Sequence, residues 1–211
     1  MNHAIQEFAS IFYLGYSSIF STEEEEDFCY KISNYKELEY DHIFEAIETL
    51  GLMHHEKFIN PVIEIFKNVE TFASKKRFMC FMLSRCMKLS EVPTFFSFLI
   101  VCAFVREIMF RIWHDVECFT VAKMASKCLI AVFYRKYVDL FDKEKGFEEF
   151  ASYCRKLNAT VLKPCEEDSE TDSLDGFLDL EEFTPPNTDE VVELLWSLKN
   201  IDDSDFVLTD S

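Results

Sequence analysis

Glycine and proline are scarce in this chain, which has four glycines and five prolines among its 211 residues. Tight hairpin turns depend on these residues, so a fold built from many short strands has little turn material here. Long stretches instead repeat their apolar residues with the 3.6-residue period of a helix. The sequence therefore predicts an all-α fold.

The chain also lacks the motifs of common catalytic and nucleotide sites. It has no glycine-rich phosphate loop and no Gly-x-Ser-x-Gly turn. His54 and His55 are adjacent, so on a helix they would point about 100° apart and make poor joint metal ligands. His114-Asp115 and Glu117-Cys118 supply single ligands without a paired second cluster. We predict a protein that is not an enzyme and that holds no cofactor and no metal.

Cys-x-x-Cys pairs are absent among the eight cysteines, most of which lie among apolar residues at helical positions. The N-terminal residues MNHAIQEF do not have the basic region and apolar stretch of a signal peptide. We expect reduced thiols that act as small hydrophobic side chains in an intracellular protein. The expected location is cytoplasmic, with the nucleus and the mitochondrial surface left open.

Charge is distributed unevenly along the chain, whose net charge is −18. Residues 166–211 contain 16 acidic side chains and one base, Lys199, whereas the first 165 residues contain 23 acids and 20 bases. An acidic segment repels nucleic acid and anionic membranes, so direct nucleic-acid binding is not expected. The sequence divides into a nearly neutral body, residues 1–160, and an acidic tail, residues 161–211.

The acidic tail alternates carboxylates with apolar side chains. This composition buries too little apolar area to offset chain entropy, so we expect the tail to be largely disordered. Apolar anchors among acids are typical of segments that offer themselves to a partner protein. The anchors predicted to take part in interactions are Phe177, Leu178, Leu194, Leu195 and Trp196.

Eleven residues in the middle of the body, Phe95 to Val105, are apolar except for Ser97. A helix of this composition has no solvent face and must be surrounded. It is too short to span a bilayer, which needs roughly 20 apolar residues, and Arg106-Glu107 follow it at once. We predict a core helix wrapped by amphipathic neighbours. Those neighbours are a helix capped by Asp41, one with Pro61 in its first turn, one capped by Ser74, and two over about 116–137 and 146–157.

Several stretches of the body resemble the homology regions of the Bcl-2 family of apoptosis regulators. Phe95-Phe96-Ser97-Phe98 is similar to the start of the family's central helix in its first homology region. Residues 140–150 resemble the second region, and residues 5–17 resemble the family's first helix. The positions that match the second region are Phe141, Gly146, Phe147 and Phe150, and those with BH3-like spacing are Ile47, Leu50 and Gly51.

The resemblance implies a Bcl-2-like bundle around a buried central helix. It also implies a hydrophobic groove that binds amphipathic BH3-type helices of pro-apoptotic proteins, or of other proteins with such a helix. Association with membranes would be peripheral and through partners, without a transmembrane anchor. The residues predicted to contact the partner are Phe78, Met82, Leu89, Phe96, Ile100 and Phe147.

Three departures from the family pattern bear on the partner. The family's Gly-Arg pair falls at Ser90-Glu91, so Glu91 would repel the acidic residue of the usual ligand. Leu52 replaces the aspartate that follows the BH3 glycine, and the acidic tail stands in place of a C-terminal anchor. Such departures are typical of divergent viral members, which suggests a factor that acts on host apoptosis. Its sign, pro- or anti-apoptotic, stays open.

A second interpretation is a cyclin-box-like interaction module with an acidic transactivating tail. Residues 77–89, 94–112 and 121–137 would then be successive box helices, with a role in transcription or the cell cycle. A complete box needs a fifth long helix after Leu157, where the chain turns acidic instead.

Overall fold

The computed structural model describes residues 37–66, 75–116, 119–142 and 145–161. Every regular element within these ranges is a helix, which confirms the all-α prediction. The predicted first helix and the acidic tail, with its anchors Phe177, Leu178, Leu194, Leu195 and Trp196, lie outside the described residues. The helices are α1 (Glu37–Met53), α2 (His55–Phe66), α3 (Lys75–Leu89), α4 (Phe95–Val116), α5 (Phe119–Val132), a π-helix (Phe133–Tyr137), α6 (Val138–Phe141) and α7 (Gly146–Val161).

Helix α4 lies at the centre of the described bundle, where it contacts α1, α2, α3 and α5. Every residue from Ser97 to Met109 is buried, while Phe95 and Phe96 at the start of the helix are half-buried. The prediction of a core helix wrapped by amphipathic neighbours is therefore confirmed.

Ser97, the one polar residue of the apolar run, closes the N-terminus of α4. The Ser97 N–H donates to Thr94 Oγ1 over 3.0 Å, and the Thr94 N–H donates to Ser97 Oγ over 2.9 Å. This reciprocal pair is a capping box, which satisfies backbone donors that have no partner inside the helix. The Ser97 hydroxyl in turn can donate to the Val92 carbonyl, 2.9 Å away. A polar side chain is thus accommodated in an apolar environment.

Two predicted helix boundaries were wrong. Asp41 does not cap a helix but lies inside α1, which begins at Glu37. Pro61 does not open a helix but lies inside α2, which begins at His55. Proline has no backbone N–H to donate to the carbonyl of Lys57, four residues earlier. Because Lys57 is exposed, water can bind that carbonyl instead.

A group of aromatic rings joins the end of α6 to α7 and to the start of α4. The Phe141 ring lies 5.2 Å from both Phe98 and Phe150, and Phe98 lies 5.5 Å from Phe150, as measured between centroids. Gly146 begins α7 against this corner, where a Cβ atom would stand 2.7 Å from the Cα atom and the carbonyl oxygen of Phe141. Only glycine fits there without a backbone shift, and this explains the Gly-aromatic pattern between residues 141 and 150.

Helices α3 and α5 pack side by side and run in the same direction. The thiol of Cys128 lies 4.0 Å from the Met79 carbonyl. Eleven residues after Met79, just past the end of α3, the Ser90 hydroxyl lies 2.9 Å from the hydroxyl of Tyr137. Residues of α3 are therefore level with residues 47 to 49 positions later in the chain. This parallel arrangement brings two segments that are distant in sequence into one face.

The five cysteines within the described ranges are free, and Cys86, Cys102, Cys128 and Cys154 among them are buried. In the part of the chain that the structure describes, no group of three or more His, Cys, Asp or Glu residues could hold a metal ion. None of the described helices has the length and apolar character needed to cross a membrane.

Candidate partner-binding site

The BH3-like stretch of α1 faces inward. Ile47 and Leu50 are buried in the core, on a helix that contacts α4 on one side and α7 on the other. Their three-residue spacing places both side chains on the same face of α1. The chain therefore seats its own amphipathic helix on the central helix through these anchors.

Gly51, the next residue of this stretch, marks the closest approach of α1 to α4. A Cβ atom at position 51 would stand 2.7 Å from Glu107 Oε1 and 3.4 Å from the nearer guanidinium nitrogen of Arg106. Any larger residue would have to displace the Glu107 carboxylate. Glycine is required by the tight packing of charged groups at this crossing.

Four titratable side chains form an ion cluster at the same crossing: Glu48 on α1, His55 on α2, and Arg106 and Glu107 on α4. The Arg106 guanidinium donates to Glu48 over 2.8 Å and to Glu107 over 2.5 Å, and Glu107 lies 2.7 Å from His55 Nδ1. Arg106 and Glu107 are buried, whereas Glu48 and His55 remain 58% and 54% exposed. The buried charges are thus compensated by partners that reach the surface.

The Arg106 guanidinium also lies 4.6 Å from the centroid of the Phe110 ring, one turn further along α4. A cation over an aromatic face is stabilised by the ring quadrupole, more strongly where water is excluded. The ion cluster is therefore held by α4 itself as well as by α1 and α2, and it fixes the relative positions of all three helices.

The six residues predicted to contact a partner divide into two groups. Phe96 on α4 and Phe147 on α7 are half-buried and pack against the core. The other four belong to the core itself and have almost no accessible surface: Phe78, Met82, Leu89 and Ile100. In the described structure only the first group presents apolar surface, and the second lies beneath it.

The corner between α3 and α4 holds a hydrogen-bonded serine, Ser90. Ser90 is buried, and its hydroxyl donates to the Cys86 carbonyl over 2.6 Å and accepts from Tyr137. The Tyr137 hydroxyl also lies 3.1 Å from Ser97 Oγ, and burial raises the pKa of Tyr137 to about 12. Glu91, the next residue, is exposed. The corner therefore presents a negative charge to solvent.

Large apolar side chains are exposed at two places near these elements. Leu52 and Met53 at the C-terminal end of α1 are 67% and 56% exposed, and Val92 in the loop before α4 is 60% exposed. Leu52 follows Gly51, the glycine of the BH3-like stretch. The end of α1 thus presents apolar rather than acidic surface.

Comparison with protein-family models, with curated proteins and with solved structures finds no match to this chain.

Reasoning from sequence missed the ion cluster and the hydroxyl group of Tyr137. The sequence did not show that Arg106 and Glu107 are buried, because charged residues after an apolar run are usually exposed. The available signal was the continued apolar spacing of Ile108 and Met109, which keeps the same helix face in the core. The partners Glu48 and His55 lie more than 50 residues away, so no local pattern connects them to α4.

Proposed function

We propose that this chain is a non-enzymatic regulator of apoptosis that binds amphipathic BH3-type helices of pro-apoptotic proteins in a hydrophobic groove beside α4. One observation carries the proposal: α1 lies on the central helix through Ile47, Leu50 and Gly51, the residues with BH3-like spacing. A central helix that accepts one helix with these anchors is suited to accept a second one on a neighbouring face.

The surface for first contact is apolar and small. Phe96 and Phe147 are half-buried, so a partner helix can cover them without unfolding the bundle. Aromatic anchors of this kind supply a large share of the binding energy at protein interfaces. Phe78, Met82, Leu89 and Ile100 would join the interface only when α3 moves outward from α4, and partner side chains would then replace part of the core.

Glu91 sets the charge of the preferred partner. It is exposed at the place where the family carries the arginine that pairs with an aspartate of the ligand. Like charges across an interface disfavour binding, so we propose a partner helix with a neutral or basic residue opposite Glu91. Peptides with aspartate at that position should bind more weakly than peptides with asparagine or lysine.

The test is a titration of the full chain against a panel of fluorescently labelled BH3-type peptides, followed by fluorescence polarisation. Binding with a dissociation constant below roughly 50 μM is expected for at least one peptide. Phe96→Ala and Phe147→Ala should each weaken that binding by about tenfold. Leu157→Ala on α7 is the matched control, because Leu157 is also half-buried and is not assigned to the groove. Absence of binding by every peptide, with the helical circular dichroism intact, would refute the proposal.

A further inference from the structure

Two packed helical segments carry nine of the 20 bases of the first 165 residues and none of the acids. Helix α3 contains five bases and no acid, and residues 119–137, which form α5 and the π-helix, contain four bases and no acid. The remainder of the first 165 residues has 23 acids and eleven bases. In a chain with a net charge of −18, this separation of charge requires an explanation.

The parallel packing of α3 and α5 aligns these bases. Because residues of α3 are level with residues 47 to 49 positions later, Lys88 lies level with Arg135, and the first turn of α3 lies level with the middle of α5. Exposed bases therefore extend along the whole pair of helices. We define the basic face by its exposed members: Lys76, Arg77, Lys88, Lys127 and Arg135.

The placement of the bases within α3 favours an anionic partner as well. Three of them, residues 75–77, occupy the first turn of the helix, where no acid is present. The N-terminus of a helix carries a partial positive charge, so bases there are unfavourable and anions are favourable. Carboxylates close to this turn would therefore improve the electrostatics of α3.

We propose that the basic face binds the acidic segment of the same chain, residues 166–211. This segment has 16 acids and one base, so its charge is complementary to the face, and it is attached by only a few residues to the end of α7. Ten extended residues reach about 35 Å, which is enough to cross a bundle of this size. Attachment raises the local concentration of the segment to the millimolar range, which favours it over acidic segments of other proteins.

The apolar residues of the segment strengthen the fit. Val191, Leu194, Leu195 and Leu198 follow the i, i+3, i+4, i+7 spacing of an amphipathic helix, preceded by Asp189 and Glu190. Ile130 on α5 and Tyr134 in the π-helix are half-buried, and their spacing places them on the same helix side as Lys127. A helix with acids and apolar residues on one side can therefore contact both kinds of surface on the basic face.

Carbodiimide cross-linking of the full chain tests this proposal, because it joins amines to carboxylates in direct contact. After digestion, mass spectrometry should find links from Lys76, Lys88 and Lys127 to acids in 166–211. Their yield should exceed that of links to Lys57 and Lys145, which are exposed lysines outside the basic face, by about fivefold. Addition of 0.5 M NaCl should remove most of this difference, since salt screens exposed charges.

Two arginine variants extend the test without removing a lysine. Arg77→Glu combined with Arg135→Glu should lower the yield by about threefold or more, while Arg155→Glu, an exposed arginine on α7, should leave it unchanged. Equal mixtures of unlabelled and ¹⁵N-labelled chains should give links within one chain. Mixed-isotope links would instead assign the segment to a second copy and overturn the proposal.

Equal yields at basic-face and control lysines would also overturn it. The proposal would also fail if the cross-links were absent and the full chain instead bound a DNA duplex or phosphatidylserine vesicles, with that binding lost in the double arginine variant. The basic face would then serve an external polyanion.

Discussion

Gly51 of α1 and Glu107 of α4 are in such close contact that a single methyl group at residue 51 would stand 2.7 Å from the Glu107 carboxylate oxygen. The carboxylate cannot simply rotate away, because Arg106 and His55 both bind it. Gly51, which belongs to the stretch with BH3-like spacing, therefore has a packing role. The same contact is the basis of the first prediction.

Gly51→Ala should destabilise the protein by about 1–2 kcal/mol. Overpacking against Glu107 costs about 1–3 kcal/mol, and the better helix propensity of alanine returns up to about 1 kcal/mol. Urea denaturation of the two proteins measures the difference. In the background of Glu107→Ala the clash is removed, so the same substitution should become neutral or stabilising. Equal destabilisation in both backgrounds would show that Glu107 is not the obstacle.

Arg106→Met should destabilise the bundle by about 2–4 kcal/mol. It leaves the Glu107 carboxylate buried with only His55 as an ionic partner, and unpaired burial of charge is expensive. Arg111→Ala is the control on the same helix, because Arg111 is exposed, and its effect should stay within about 0.5 kcal/mol. The pair Arg106→Met with Glu107→Leu should recover most of the loss. If the double variant is no more stable than Arg106→Met, the charged side chains themselves stabilise the helix packing, and compensation of Glu107 by Arg106 is not their main contribution.

Tyr137→Phe should cost about 1–2 kcal/mol near pH 8, since it removes the hydroxyl that bonds Ser90 and Ser97. The cost should depend on pH. Burial raises the pKa of Tyr137 to about 12, whereas a tyrosine in the unfolded chain ionises near 10. The stability that this group contributes is therefore complete below pH 10 and is lost as the pH rises toward 12.

The wild type should accordingly lose stability faster than Tyr137→Phe above pH 10, and the gap between the two should narrow or reverse. Urea midpoints measured at intervals from pH 8 to 11 report this directly. Parallel curves throughout this range would contradict the hydrogen-bonded, buried position of the hydroxyl.

Thiol reactivity should follow burial along the described helices. Burial raises the pKa of the Cys86, Cys102, Cys128 and Cys154 thiols, so little thiolate is present at pH 7.5 and reagents cannot reach it. Burial also raises the pKa of the half-buried Cys80, but nearby Lys76 partly lowers it. Brief alkylation with N-ethylmaleimide followed by peptide mass spectrometry should label Cys80 first among these five. Early labelling of Cys102, in the middle of α4, would contradict the central position of that helix.

Periodicity in the sequence was sufficient for the helices and for the central place of Phe95–Val105, because a helix without a solvent face has to be surrounded. The resemblance of residues 140–150 to a family pattern, rather than periodicity, singled out Gly146, which begins α7 at the aromatic corner. Sequence reasoning failed at Asp41 and at Pro61, which lie inside α1 and α2 rather than in their first turns, because tertiary packing can outweigh local signals for a helix start. The sequence also gave no sign that Arg106 and Glu107 are buried, because burial of a charge depends on partners from distant segments. The parallel alignment of α3 with α5, which creates the basic face, depends on tertiary packing that neither helix encodes alone.

For the predicted groove, too, the sequence indicates which positions are apolar but not which of them are accessible to a partner. Phe78, Met82, Leu89 and Ile100 were predicted to line a groove on α3 and α4, and they are buried. Spacing cannot distinguish a residue that faces a groove from one that faces the core, since both are apolar and lie on the same helix side. Only accessibility separates them, and it leaves Phe96 and Phe147 as the residues for first contact.

The most direct measurement for the proposed groove is the position at which a bound helix attaches to the full chain. A BH3-type peptide with a benzophenone at one apolar anchor is added to the protein, irradiated, and located by mass spectrometry of the digested product. Attachment within residues 75–100 and 145–150, reduced by excess unlabelled peptide and by Phe96→Ala, is the predicted result. Attachment confined to residues 162–211, or no attachment that the unlabelled peptide can displace, would contradict a helix-binding groove beside α4.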